Sequence, residues 1–173
     1  MYKMLVGWFA FLSNHLESTK LTLCHILQAF CYKIPDHVSF EEAAMIEPLS
    51  VAVHAHTRAQ TKAGDCLLIT GCGPIGLVSA LVGKASGCST IIMTDIDQSK
   101  LDFAKAYIAT HTINVGGKEV EDAVAEITKL GVSVDRSIEC SGAQSALKMA
   151  VLATRPGGVV CVVGYVFQTV ALI

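Results

Sequence analysis

No two of the seven cysteines (Cys24, Cys31, Cys66, Cys72, Cys88, Cys140 and Cys161) stand in a Cys-x-x-Cys spacing, and their number is odd. This argues against a structural zinc site or a disulfide framework and leaves reduced, buried thiols of a cytoplasmic protein as the expectation. No cluster of Lys or Arg is present and the net charge is -2, so the chain offers no footprint for a nucleic-acid backbone. Charged residues are scarce, 16% against 52% hydrophobic, which excludes a disordered chain and fits a sheet buried on both faces. Acidic tails, internal repeats and low-complexity segments are all missing. The apolar stretch around Trp8, Phe9 and Phe11 is too short to span a bilayer. The polar run Ser13-Asn14-His15-Leu16-Glu17 that follows it has no small-residue cleavage site, so an N-terminal extension is expected rather than a signal peptide or a membrane partner. A length of 173 residues suits one compact domain.

Residues 1–30 carry no sustained period and are poorly specified. From Cys31 the chain reads as an extended entry, and Ser39-Phe40-Glu41-Glu42 matches the Ser-x-x-Glu capping box, which predicts a helix from Phe40. Pro48 suits the first position of a second helix running to residue 58, which would make Glu47 its cap. Beyond Gly64, strands at 66–70, 90–94, 111–114, 136–140 and 159–163 alternate with helices at 74–84, 98–107, 120–130 and 143–154. That alternation implies parallel strands joined by right-handed crossovers.

Chemistry concentrates in Gly71-Cys72-Gly73-Pro74-Ile75-Gly76, a Gly-x-Gly-x-x-Gly turn between the first of these strands and its helix. A turn that lets a pyrophosphate approach the backbone needs Gly71 for tightness, Gly73 for close approach and Gly76 for helix packing. The helix start then offers free N–H groups and its dipole to the phosphates, with Ile75 against the cofactor. A glycine-rich turn also occurs for purely structural reasons, and the context decides. Asp95 stands 24 residues beyond Gly71 at the end of the next strand, where a carboxylate accepts from the adenosine ribose hydroxyls. Its charge repels a 2′-phosphate, and neither Ile96 nor Asp97 offers an arginine, so NAD is expected over NADP. Lys100 stands one helical turn on, either at the adenosine end or as an ordinary solvated lysine. Cys140-Ser141-Gly142 and Val163-Gly164-Tyr165 end the fourth and fifth strands at the crevice, where glycines either admit the nicotinamide half or merely terminate strands. The expected architecture is α/β: a Rossmann-type doubly wound parallel sheet.

With Cys31-Tyr32-Lys33-Ile34-Pro35-Asp36, Phe40-Glu41-Glu42-Ala43, Ile46-Glu47-Pro48-Leu49-Ser50-Val51, the glycine loop, Thr94-Asp95 and Ile138-Glu139-Cys140-Ser141-Gly142-Ala143 in hand, residues 28–171 resemble the sorbitol dehydrogenases. These are zinc-dependent polyol dehydrogenases of the medium-chain dehydrogenase/reductase family. The resemblance implies oxidation of a polyol to a ketose, with hydride passing to NAD and a zinc ion polarising the hydroxyl. It places Ile75, Asp95, Lys100 and the stretch Val163, Gly164, Tyr165 at cofactor-contacting positions, Lys100 standing where the family usually has arginine. Glu47 falls beside the zinc and substrate, although a helix N-terminus would also explain a glutamate without any metal.

The family's zinc ligands, a cysteine and a neighbouring His-Glu pair, come from an N-terminal catalytic domain for which the 30 residues before Cys31 leave no room. Cys24, His15 and His25 do not reproduce that set, and His54 and His56 are two apart on a helix and diverge. The expectation is therefore an N-terminal extension (1–30), a helical connector (31–60) and an NAD-binding domain (61–173) that lacks the catalytic domain and is incomplete at its C-terminal end. Such a chain binds NAD but no zinc, and exposes a sheet edge able to pair with itself or with intact relatives. A methyltransferase on a similar loop is disfavoured by the Pro-Ile-Gly helix start.

Overall fold

The computed structural model describes residues 4–6 and 31–164. The chain forms two compact units, residues 1–50 and 51–173.

In the first unit, strand β1 (Met4–Val6) pairs antiparallel with β2 (Cys31–Lys33). Helix α1 (Phe40–Ala44) starts where the capping box places it: Glu42 N–H donates to Ser39 Oγ at 3.1 Å, and Ser39 N–H donates to Glu42 Oε2 at 2.8 Å. Helix α2 (Ile46–Ala59), most of which belongs to the second unit, begins two residues earlier than Pro48 implied. A proline costs no hydrogen bond anywhere in the first turn, because none of those N–H groups has an intrahelical partner. Pro48 is therefore the third helical residue, and Glu47 lies inside the first turn rather than capping it.

The second unit holds β3 (Cys66–Thr70), α3 (Pro74–Ala85), β4 (Thr90–Asp95), α4 (Gln98–Tyr107), β5 (His111–Asn114), α5 (Val120–Lys129), β6 (Val134–Glu139), α6 (Gln144–Ala153) and β7 (Thr154–Val162). The five strands are parallel in the order β5-β4-β3-β6-β7. Strand order reverses at β3, which opens a crevice beyond the carboxyl ends of β3 and β6. Strand β6 starts two residues before the expected 136. Strand β7 starts at Thr154 rather than 159, since Thr154 already pairs with Val134 before a register shift absorbs Pro156 and Gly157. An edge position tolerates both.

Successive side chains of a strand point to opposite faces, so two cores form. Leu67, Ile69, Ile91, Met93 and Ile138 pack with Ala55, Ala59, Ala80, Leu101 and Ala104, the helical contributions of α2, α3 and α4. Leu68, Ile92, Ile113 and Val134 pack with Ala123, Ile127 and Met149 from α5 and α6. Gly83 of α3 has no room for a methyl group, whose carbon would stand 2.5 Å from Leu67 Cδ2.

His56 pins α2 to α3. The Ser79 carbonyl, 2.8 Å away, accepts from Nε2–H, so Nδ1 accepts from the Thr61 hydroxyl at 3.0 Å. His54 lies on the exposed side of α2, so the two histidines diverge. Burial holds the His56 imidazole below its ordinary value, outweighing the Ser79 bond that favours protonation. The unfolded chain then binds the proton more readily, so the contribution is fully present above about pH 6.5 and is lost as pH falls through the folded value. Urea unfolding is expected to give a midpoint that declines as pH falls below about 6.5. His56→Gln, which can still donate to Ser79, should flatten that slope, and an unchanged slope would remove His56 as its source.

Candidate cofactor-binding site

The turn from β3 into α3 follows from its glycines. Gly71 has φ +97°, a conformation that side chains disfavour, and a Cβ there would also stand 3.1 Å from Ser141 N. Gly76 lies directly under the loop, and a Cβ on it would overlap the Gly71 carbonyl oxygen. Gly73 is the N-cap of α3, extended and open on the side a Cβ would occupy, and no side chain caps this helix. The first-turn N–H groups of α3 are thus left for an anion.

Asp95, at the end of β4, does more than wait for a ligand. Its Oδ2 accepts from Cys72 N–H at 2.6 Å and its Oδ1 from Asp97 N–H at 2.9 Å, which ties the glycine loop to the β4 turn. Each oxygen keeps a second lone pair for a hydroxyl donor. Asp97 caps α4, accepting from Ser99 N–H at 2.8 Å, and the Ser99 hydrogen bonds hold its carboxyl below the usual range.

A cleft of about 420 Å³ lies over these strand ends, and Gly71, Gly73, Asp95 and Lys100 line it together. Cys140 and Ser141, just beyond β6, border it as well. Ile75, Gly76, Val163 and Gly164 are not among its lining residues. Gly76 acts from beneath the loop, while Val163 and Gly164 stand beside β6, both donating to the Glu139 carbonyl, at 2.8 and 2.9 Å. Tyr165, Cys24, His15 and His25 lie outside the described residues. Sequence reasoning missed Lys118, Val120, Ser145 and Met149, which also line the cleft. Lys118 and Val120 belong to the turn before α5 and its start, and Ser145 and Met149 to the first and middle turns of α6, and only the strand order brings those segments over β4 and β6.

Burial disfavours the thiolate form of the cysteines, both at the site (Cys72, Cys140) and at the start of β3 (Cys66). Burial, with the negative charge of Asp95 adding to it, pushes Cys72 up to about 12; burial likewise lifts Cys140 to about 12 and Cys66 to about 11. Among the described residues no three His, Cys, Asp or Glu side chains are placed to hold a metal ion, so the donor set on view does not fit zinc. It does fit a dinucleotide: an uncapped helix start behind a glycine turn, a carboxylate that lines the cleft and room alongside. Among the described residues no helix is long and apolar enough to cross a membrane.

Residues 74–172 match the family described as zinc-binding dehydrogenase. The chain belongs to the zinc-binding dehydrogenase family. Mouse sorbitol dehydrogenase is 41% identical over 136 residues, which make up 78% of this chain and 38% of that enzyme. A Sinorhizobium meliloti protein solved with NADP bound superposes with a TM-score of 0.76 at 27% identity, over 84% of this chain and 43% of the other. The 2R,3R-butanediol dehydrogenase of Bacillus subtilis gives a TM-score of 0.74 at 30% identity, over 83% and 41%. This zinc-binding dehydrogenase chain thus spans about two-fifths of the length of the relatives it matches. The parallel sheet and its flanking helices are those of the family.

Gly76→Ala is expected to force the loop away from α3. The substitution should cost about 1–3 kcal/mol in urea unfolding and weaken dinucleotide binding at least tenfold in calorimetry, and binding at wild-type strength would show that the loop geometry does not matter.

Proposed function

We propose that this chain is the NAD-binding part of a zinc-dependent polyol dehydrogenase of the sorbitol dehydrogenase type. Bound NAD supplies the hydride acceptor. The observation that carries the choice of cofactor is Asp95, which lines the cleft with its carboxylate braced against the glycine loop by Cys72 N–H. A 2′-phosphate in that place meets a fixed negative charge, while a 2′-hydroxyl meets an acceptor. The phosphates are held by loop and helix N–H groups and Lys100 closes the adenosine end; the family resemblance alone adds Ile75, Val163, Gly164 and Tyr165 as cofactor contacts. Glu47 is the residue assigned to the zinc and substrate side.

Polyol oxidation needs zinc ligands beyond the described residues, and the family likeness to polyol and diol dehydrogenases supports that class of substrate. On its own residues the chain is a cytoplasmic NAD-binding module. Turnover requires those ligands to be supplied; an exposed sheet edge offers association with itself or with an intact relative, and of the two only an intact relative brings such ligands.

Calorimetric titration of the purified chain with NAD and NADP, beside metal analysis of the same sample, tests this. NAD is expected to bind at least tenfold more tightly than NADP, and Asp95→Ala to weaken NAD while narrowing the gap. Equal or tighter binding of NADP would overturn the cofactor assignment, and a folded chain that binds neither would overturn the whole reading. S-adenosylmethionine competing with NAD for the site would point to methyl transfer instead.

A further inference from the structure

Glu139 is the only buried acidic side chain among the described residues, at 0% exposure. It is the last residue of β6, and it gathers the ends of three neighbouring strands. Its Oε1 accepts from Ser141 N–H at 2.7 Å, from the Ser141 hydroxyl at 2.6 Å, from Gly142 N–H at 2.9 Å and, more weakly, from the Thr70 hydroxyl of β3 at 3.4 Å. Its backbone carbonyl takes the N–H groups of Val163 and Gly164 beyond β7. The second carboxylate oxygen, Oε2, is buried without a hydrogen-bond partner. No ion pair among the described residues involves this side chain. Its negative charge is therefore balanced by dipoles alone.

The local hydrogen bonds need only one acceptor oxygen. A glutamine would satisfy the same donors through its own carbonyl, so the second oxygen and the charge are not required by the turn they organise. Leaving a charge buried and unpaired is costly, which makes its presence informative. Ser141, which lines the cleft, donates to Oε1 through both its N–H and its hydroxyl, so the carboxylate stands directly behind the cleft wall. A Cβ on Gly164 would stand 2.5 Å from Oε2 and would overlap the backbone N of Gly142, so neither glycine interposes a side chain.

A dinucleotide in this crevice changes charge when it reacts, because the oxidised nicotinamide ring is cationic and the reduced ring is neutral. A fixed negative charge one residue behind the cleft wall stabilises the first relative to the second. We infer that Glu139 is an electrostatic positioning residue that biases the crevice toward the oxidised dinucleotide. This rests on the dinucleotide reading above. It adds that the site discriminates between the two oxidation states, through a residue that touches neither.

Binding of oxidised and reduced NAD to the wild-type chain, Glu139→Gln and Glu139→Asp, by calorimetry and by NADH fluorescence, tests the inference. In Glu139→Gln the affinity for the oxidised form is expected to fall roughly three- to tenfold relative to that for the reduced form, as loss of one charge across a partly screened gap implies. A glutamine variant in which both affinities fall by the same factor, or in which the ratio stays put, overturns the inference, because a merely structural role moves both forms together. If the glutamine variant does not fold, Glu139→Asp decides. It disturbs the geometry but keeps the charge, so both affinities should fall with their ratio held within about twofold, and a larger change of ratio overturns the inference. A folded wild-type chain that binds neither form overturns the dinucleotide reading itself, and this inference with it.

Discussion

The carboxyl edge of the sheet depends on one close approach, the first turn of α3 resting on the carbonyl of Gly71. Only a residue without a side chain at position 76 permits it. The approach fixes the direction in which α3 leaves the sheet, and so the direction of its N-terminal dipole. It also holds Cys72 where its N–H meets Asp95, so that the loop and the β4 turn set one another. The anion-facing groups are thereby arranged before any ligand arrives, and ordering them is not charged against binding.

The two ends of the sheet handle charge differently. At the amino end, carboxylates meet arginines: Asp135 accepts from Arg155 Nε at 2.6 Å and from Cys66 N–H at 2.9 Å, and Asp65 lies 3.5 Å from Arg136 Nε, with both of those side chains largely buried. At the carboxyl end, Asp95 and Glu139 meet only N–H and O–H donors. Full ion pairs close the end that only has to hold together. Partial dipoles hold the carboxylates at the end where a ligand would lie, beside Lys100 and Lys118.

Much of this was legible from the residues. Strand β3 is five apolar or small residues between turn signals, and every one of them is buried, as a central parallel strand requires. The bounds of α4 and β5 fall where the pattern places them, with Asp97 as a cap and His111 opening the strand. The start of β7 was not legible, because Pro156 and Gly157 look like a turn and only the pairing with β6 reveals an irregular edge strand. Nor was the pairing of β1 with β2, whose partners are 25 or more residues apart. Within the site, Gly71, Gly73, Asp95 and Lys100 share a cleft as their spacing suggested, whereas Lys118 and Ser145 reach it only through strand order. In the sequence Glu139 stood only as a residue of the fourth strand and of the Ile138–Ala143 motif. Its role as the hub of three strands belongs to tertiary structure alone.

The strand order also sets a timetable. β3 is the first strand of its sheet to be made, yet Leu67 finds its partner on one side only at Arg136. During synthesis the central strand, all of it destined for the interior, waits with one edge open while two further strands and three helices emerge. Contacts of such long sequence separation form slowly and leave apolar edges exposed meanwhile. The interval between β3 and β6 is thus when the nascent chain most needs shelter from its neighbours.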